Sequence, residues 1–228
     1  MAELVDALGL GSSGFIRGGS SPLIDIQDIM DFILEAKIRD VSVCDRLIDF
    51  FQNSDFSINR RCPGETTTGV TDAKKSTDLT IYPFEKHLAP PVEEYLEHLF
   101  DIGKKYIDKY PTCNVYSPWG VAESVNIQWY KPGEGFYKWH TERCNAMHPH
   151  NNRHLVWMTY LNDIEEGGGT DFMHQNYTVK PKKGKTVIWP SDWTYTHKGQ
   201  VAPNEDKYII TGWFSFLDET ERVGSGGN

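Results

Sequence analysis

The run Gly135-Phe136-Tyr137-Lys138-Trp139-His140-Thr141-Glu142 contains the residues around which the rest of the fold is organised. Aromatic and β-prone residues dominate it, and this composition predicts a β-strand. Residues two apart in a strand point to the same face of the sheet. His140 and Glu142 are therefore expected to converge on one point.

A second histidine, His197, lies 57 residues after His140 (197 − 140 = 57), shortly before a predicted strand over 207–216. Two imidazoles and one carboxylate on a small β-barrel form the facial triad of non-haem Fe(II) oxygenases, which leaves open positions on the metal. The sequence therefore predicts that His140, Glu142 and His197 are both the metal ligands and the catalytic centre. The alternatives are a satisfied core or surface histidine and a solvated carboxylate on a strand face.

Further motifs follow this pair in a consistent order. They are Tyr137-x-x-His140-x-Glu142, a Gly-rich run from Tyr160 to Thr170, Lys183-Gly184-Lys185, His197-x-Gly199-x-Val201, and Lys207. Over roughly residues 125–217, this pattern resembles that of the Fe(II)/2-oxoglutarate-dependent dioxygenases and is most similar to their prolyl 4-hydroxylase-like branch. The resemblance implies a mainly β chain with flanking helices, folded as a double-stranded β-helix (jelly roll).

The resemblance also implies residues that bind 2-oxoglutarate. Lys207 would pair with the distal carboxylate, since a partly buried ammonium can form a charge-assisted hydrogen bond; Arg153 and Arg222 are weaker rivals. Tyr130 and Thr170 match positions that hydrogen-bond the co-substrate, although aligning Tyr130 requires one extra residue in the turn that follows it. The alternatives are an exposed strand lysine and simple core packing.

Three more residues are expected to form the substrate pocket. Tyr137 would shape its wall, Trp213 would line its floor, and Arg153 would lie beside them; both aromatic residues could equally be core. Relatives more often have Asp at the position of Glu142. A carboxylate there excludes the related halogenases, which leave that position open for halide.

The activity implied by the resemblance is hydroxylation of an unactivated C–H, prolyl 4-hydroxylase-like, on a peptide or protein. It implies Fe(II) as the metal, 2-oxoglutarate and O2 as co-substrates, and ascorbate as an optional cofactor. A small-molecule (amino-acid) hydroxylase is one alternative. A non-catalytic cupin-like metal-binding barrel is another, although cupins usually carry a His-x-His arrangement that is missing at this site.

Composition narrows the class of partner and the location. The net charge is −9, and no basic stripe is present, which argues against nucleic acid or an anionic membrane as the main partner. The four cysteines are widely spaced and form no CxxC motif, so we expect reduced thiols and a soluble, cytoplasmic protein without a signal peptide.

A chain of 228 residues is within the range of one domain. We expect a non-native or disordered leader over 1–23, with Met30 as the candidate start, a single domain over 24–217 and a flexible tail over 218–228. Within the domain, 24–110 would be helical support, with helices near 40–51 and 91–107, and 111–217 the β-helix core. The segments 131–135 and 143–153 are predicted to be mobile flaps over the substrate.

Overall fold

The computed structural model describes residues 32–66, 69 and 71–217. The expected leader over 1–23, the candidate start at Met30 and the expected tail over 218–228 lie outside these residues. None of the helices in the described part of the chain combines the length and apolar character needed to cross a membrane.

The described residues form eleven β-strands and three α-helices, together with short 3-10 helices. The helices are α1 (Ser42–Asn53), α2 (Asp55–Ile58) and α3 (Pro90–Lys109). The strands are β1 (Leu34–Lys37), β2 (Cys62–Pro63), β3 (Thr77–Ile81), β4 (Trp119–Gly120), β5 (Val125–Tyr130), β6 (Arg153–Tyr160), β7 (Thr170–Phe172), β8 (Tyr177–Val179), β9 (Lys185–Pro190), β10 (His197–Gly199) and β11 (Lys207–Phe216).

The strands form two antiparallel sheets. The larger sheet has eight strands in the order β1-β9-β6-β11-β5-β3-β2, with β4 pairing to β11. The smaller sheet has the order β10-β7-β8. Together with the similarity to known structures described below, this arrangement confirms the predicted mainly β jelly roll with flanking helices.

One face of the larger sheet is covered by α1 and α3. Each helix is amphipathic and buries the residues that recur at helical spacing, such as Leu47 and Phe51 in α1 and Leu99 in α3. A proline begins α3, as predicted, because its fixed φ suits the first helical turn. The segment predicted as helical support also supplies β1 and β3, which pair with β9 and β5 as part of the sheet itself.

Successive side chains of strand β11 point to opposite faces of the sheet, so one set faces the core and the other faces the site. Tyr208, Ile210 and Phe214 belong to the core cluster on the helix side. The residues between them line a cavity on the opposite side of the sheet: Lys207, Ile209, Thr211 and Trp213. Gly212 lies opposite Trp157 on β6, and a Cβ at this position would come within 2.4 Å of the indole ring.

The Gly-rich run between Tyr160 and Thr170 bends at 165–167. Gly167 has φ +69° and Gly168 has φ +67°, a region that favours glycine. A Cβ on Gly167 would approach the carbonyl oxygen of Val201 to 2.2 Å. The N–H of Gly168 donates to this carbonyl at 3.0 Å, so the turn is joined to the segment between β10 and β11.

The predicted strand over 135–142 is wrong in its extent. Phe136 forms an isolated bridge with Lys74, and His140 forms another with His197. Since the segment pairs with a different partner at each of these positions, no continuous ladder of hydrogen bonds forms along it.

Candidate active site

The two histidines are brought together by their own backbones. The N–H of His140 donates to the carbonyl of His197 at 2.9 Å, and the N–H of His197 donates to the carbonyl of His140 at 2.9 Å. Two directly opposed residues of an antiparallel pair project their side chains on the same side. Their imidazole ring centroids are accordingly 4.3 Å apart.

Glu142 completes the cluster from two residues beyond His140. Its Oε1 lies 3.5 Å from Nε2 of His140 and 3.6 Å from Nε2 of His197. The three possible ligand atoms all lie within 4.8 Å of one another. The structure thus brings together the three predicted ligands, including the pair whose predicted strand is missing.

The remaining nitrogen of each imidazole is already occupied. Nδ1 of His140 lies 2.9 Å from the carbonyl oxygen of Lys138, and Nδ1 of His197 lies 2.9 Å from that of Tyr195. A carbonyl oxygen only accepts hydrogen bonds, so each Nδ1 carries the hydrogen and donates it. Each Nε2 therefore directs a lone pair toward Glu142, as in metal-binding histidines oriented by a backbone carbonyl.

The electrostatics of His197 and Glu142 favour the protonation states that metal binding requires. Burial, together with the neighbouring His140, lowers the pKa of His197, which favours its neutral form. Burial alone would raise the pKa of Glu142, but its interactions with His140 and His197 hold that pKa well below its ordinary value. Two neutral imidazoles and an ionised carboxylate fit a divalent transition metal such as Fe(II).

Lys207 lies in the same cavity, at the start of β11. It is 5% exposed and is directly opposite Tyr130 on β5. Burial lowers the pKa of Lys207 to about 8. No ion pair or hydrogen bond joins its Nζ to another described residue, so the amine is available for an anionic group.

Tyr130 and Thr170 both line the cavity but have protein partners. The hydroxyl of Tyr130 donates to Oε1 of Gln128 at 2.7 Å, and that of Thr170 lies 2.8 Å from the hydroxyl of Tyr160. Burial raises the pKa of Tyr130 well above its ordinary value, so the phenol stays protonated. Their predicted contacts with the co-substrate stay predictions.

The cavity has a volume of about 690 Å³ and includes both the triad and Lys207 among its lining residues. Trp213 and Arg153 line it as predicted. Tyr137 is not among the lining residues and is exposed. Its hydroxyl donates to the carbonyl of Gly133, so the side chain is directed back to the preceding turn, and its predicted place in the pocket is wrong.

The comparisons with known proteins agree with this geometry. The family model of the 2OG-Fe(II) oxygenase superfamily matches residues 125–215. This part of the chain is similar to the 2OG-Fe(II) oxygenase superfamily. The protein is accordingly a dioxygenase that depends on Fe(II) and 2-oxoglutarate, and the alternative of a non-catalytic barrel is not supported.

Several solved structures share the fold of this oxygenase. A viral collagen prolyl hydroxylase from Paramecium Bursaria Chlorella virus-1, solved with 2OG, is 20% identical and has a TM-score of 0.57; the match covers 82% of this chain and 97% of the viral one. A Pseudomonas putida prolyl-4-hydroxylase is 17% identical with a TM-score of 0.62, and the match covers 83% and 97% of the two chains.

A third similar structure is a Trichoplax adhaerens prolyl hydroxylase in complex with a hypoxia inducible factor oxygen degradation domain peptide fragment. It is 19% identical with a TM-score of 0.62, and the match covers 88% of this chain and 90% of the other. No curated protein sequence matches the oxygenase.

The structure adds two residues to the site that sequence reasoning missed. The Phe136 ring stacks on the imidazole of His140 with centroids 3.7 Å apart and planes 8° apart. Its even spacing from His140 is the signal that could have identified it. Glu123 holds Arg153 through contacts of 2.8 to 3.1 Å, and nothing local in the sequence indicates this partner.

Proposed function

We propose that this oxygenase hydroxylates prolyl residues of a peptide or protein, with His140, Glu142 and His197 binding Fe(II) and Lys207 binding 2-oxoglutarate. One observation carries the assignment of residues: the triad and a buried lysine that has no hydrogen bond or ion pair with another described residue open on the same cavity. The triad provides the ligand types for the metal, and the lysine provides the cation for a dicarboxylate.

Each end of the cavity has a separate task in this proposal. The bound metal, with 2-oxoglutarate and O2, would supply the oxidising chemistry. His140, Glu142 and His197 would hold it at one end, and the ammonium of Lys207 would form a charge-assisted hydrogen bond with the distal carboxylate at the other. This division fixes the co-substrate by both of its ends and so limits its orientations.

The lining of the cavity supports a reaction that excludes water. Phe136, Val156, Met158, Trp189 and Trp213 all contribute to its walls. Val156, Met158 and Trp189 are buried. An apolar wall around the metal limits solvent access and protects a reactive centre from side reactions.

The prolyl substrate is supported by the similarity of the fold to solved prolyl hydroxylases. The similar structures described above are named as prolyl hydroxylases, and one of them is in complex with a peptide fragment. The cavity of this chain also extends to exposed residues, among them Trp139 and Cys62. An open mouth of this kind suits a segment of peptide chain rather than a fully enclosed metabolite.

The test is a turnover assay with proline-containing peptides. We expect succinate to form from 2-oxoglutarate in the presence of Fe(II) and peptide, and the peptide to gain the mass of one oxygen atom on a prolyl residue. Turnover with free amino acids but with no peptide would contradict the proposed substrate class and favour the small-molecule hydroxylase. Addition of ascorbate tests whether that cofactor sustains the reaction.

A matched pair of variants identifies the reacting site. Glu142→Ala should lose turnover, because one of the three ligands is removed. Glu65→Ala changes an exposed carboxylate that also lines the cavity but does not belong to the triad. It should keep turnover. Equal activity in both variants would show that the residue assignment is wrong.

A further inference from the structure

The two oxygens of Glu142 have different surroundings. Oε1 faces the Nε2 atoms of the two histidines at 3.5 Å and 3.6 Å. Oε2 accepts a hydrogen bond from the indole Nε1 of Trp213 at 3.0 Å and lies 3.4 Å from Nη1 of Arg153. One oxygen is thus directed to the metal position, and the other is held from behind.

Each nitrogen of the Arg153 guanidinium already has a protein acceptor. Its Nε and Nη2 donate to the carboxylate of Glu123 at 2.8 to 3.1 Å. Its Nη1 donates to the backbone carbonyl of Glu142 at 3.1 Å, in addition to the contact with Oε2. The guanidinium carbon also lies 3.5 Å from the centroid of the Trp213 ring, a stacking geometry that suits arginine.

Glu123 is itself anchored to the sheet. The hydroxyl of Ser215 donates to its Oε1 at 2.6 Å. Ser215 lies opposite Arg153 where the register between β6 and β11 shifts. The side chains of Arg153 and Glu123 are 8% and 10% exposed. A buried chain of contacts therefore runs from Ser215 through Glu123 and Arg153 to Glu142.

We propose that Arg153 and Glu123 are positioning residues that fix the Glu142 carboxylate before metal arrives, with Oε1 toward the imidazoles. This inference rests on the metal-binding role proposed above and gives Arg153, which also lines the cavity, the task of holding the ligand from behind. Glu has one more rotatable bond than Asp, the other carboxylate that can serve as a metal ligand. Holding Oε2 removes that additional freedom, whose loss would otherwise count against metal binding.

A second buried ion pair in the same cavity provides a matched control. Lys74 and Asp78 contact each other at 2.5 Å, with side chains 4% and 10% exposed. Both line the cavity, but the Asp78 carboxylate accepts from Lys74 and Ser76, and neither belongs to the triad. Changing Asp78 therefore perturbs a buried ion pair without touching Glu142.

The experiment measures Co(II) binding to the full-length protein by titration, together with the visible absorption spectrum of the bound ion. Three changes should weaken Co(II) binding by about 10- to 100-fold and alter the spectrum: Glu123→Gln, Arg153→Met and Trp213→Phe. Trp213→Phe keeps an aromatic ring but removes the N–H donor together with part of the indole, so it tests the contact with Oε2 and the stacking of Arg153 together. Asp78→Asn should bind Co(II) like the parent.

The outcomes separate this inference from the proposed function. If the parent binds Co(II), Glu142→Ala does not, and both Glu123→Gln and Trp213→Phe match the parent in affinity and spectrum, the positioning role is overturned and the metal site stands. If Asp78→Asn weakens binding as much as Glu123→Gln, the effect is a general one of buried ion pairs and the inference fails. If the parent itself does not bind Co(II), the metal site and the inference fail together.

Discussion

The two ends of the cavity are built in different ways. Lys207 and Tyr130 face each other across β5 and β11, inside a regular ladder that continues to Thr211 and Asn126. His140 and Glu142 lie in a segment without a continuous strand, joined to His197 by a single bridge. The basic end is therefore fixed by a regular ladder of the sheet. The metal end is fixed by scattered backbone hydrogen bonds to several partners, such as those from His140 to His197 and from Arg143 to Ser191, and by side-chain contacts.

This difference indicates how the two ends respond to change. A sheet position is held by many neighbouring hydrogen bonds, so replacing Lys207 should alter charge without altering geometry. Segments that lie outside regular ladders open more easily and gain more from a bound group. The metal end should therefore be the part whose order depends on what it binds.

The largest effect is expected from Glu142→Ala. Loss of residues that only orient a ligand costs 10- to 100-fold in metal affinity, so loss of the ligand itself should cost more than about 100-fold. Anaerobic titration with Fe(II) or Co(II) measures this. Glu65→Ala is the control and should bind metal like the parent; an affinity for Glu142→Ala close to that of the parent would remove the carboxylate from the site.

Lys207→Met should weaken binding of 2-oxoglutarate at the basic end of the cavity without weakening binding of metal at the other end. Truncating one partner of a buried charge pair costs at least about 2 kcal/mol, so the dissociation constant for 2-oxoglutarate should rise about 30-fold or more. Metal affinity should stay at the parental value, because Lys207 does not contact the triad. Lys131→Met, which removes an exposed charge in the turn after β5, should change neither quantity. A joint loss of metal and 2-oxoglutarate binding would contradict the separation.

The binding of 2-oxoglutarate should depend on pH through Lys207. Burial lowers the pKa of this amine to about 8 in the free protein. Below that pH the amine is charged and can pair with the carboxylate; above it the amine is neutral. Affinity should therefore fall as pH rises through about 8, approaching tenfold per unit.

Lys207→Arg is the matched control for this pH dependence, since a guanidinium stays charged from about pH 7 to about pH 9. Calorimetric titration of both proteins over this range gives the two profiles. Equal slopes in the variant and the parent would assign the pH dependence to another group.

The smallest effect is expected in hydrogen exchange. Binding of Co(II) and 2-oxoglutarate should slow exchange in 136–142 a few-fold, while amides in the centre of β11 should hardly change, because binding stabilises the less regular end most. Mass spectrometry of peptides from both regions measures the ratio. Uniform slowing of exchange across both regions would show that the two ends respond alike.

Limited proteolysis in 143–153 with and without substrate tests the predicted flap.

The strands of the larger sheet could be predicted because alternation and β-prone composition are local properties. The strand predicted over 207–216 is confirmed as β11, with both ends as expected. The two long helices are also confirmed, with limits that differ by about two residues from those expected. Each of these strands and helices depends on a periodic pattern of apolar residues that is visible within the segment itself.

The site was only partly within reach of the sequence. His140, Glu142 and His197 follow from residue type, spacing and resemblance, and the structure brings them together. The contacts of Arg153 were beyond prediction, because Glu123 is 30 residues away and has no motif of its own. Tyr137 was misplaced because the resemblance assigned it to the pocket, although residues three apart in a strand point to opposite faces.

The carbonyl acceptors of Lys138 and Tyr195 lead to an expectation about sequence drift. The groups that orient both imidazoles belong to the main chain, so they are present whatever side chains occupy those two positions. Natural variants could exchange Lys138 for many other residues and still present the same pair of lone pairs. The histidines should therefore be intolerant of replacement while the residues that steer them are free to vary.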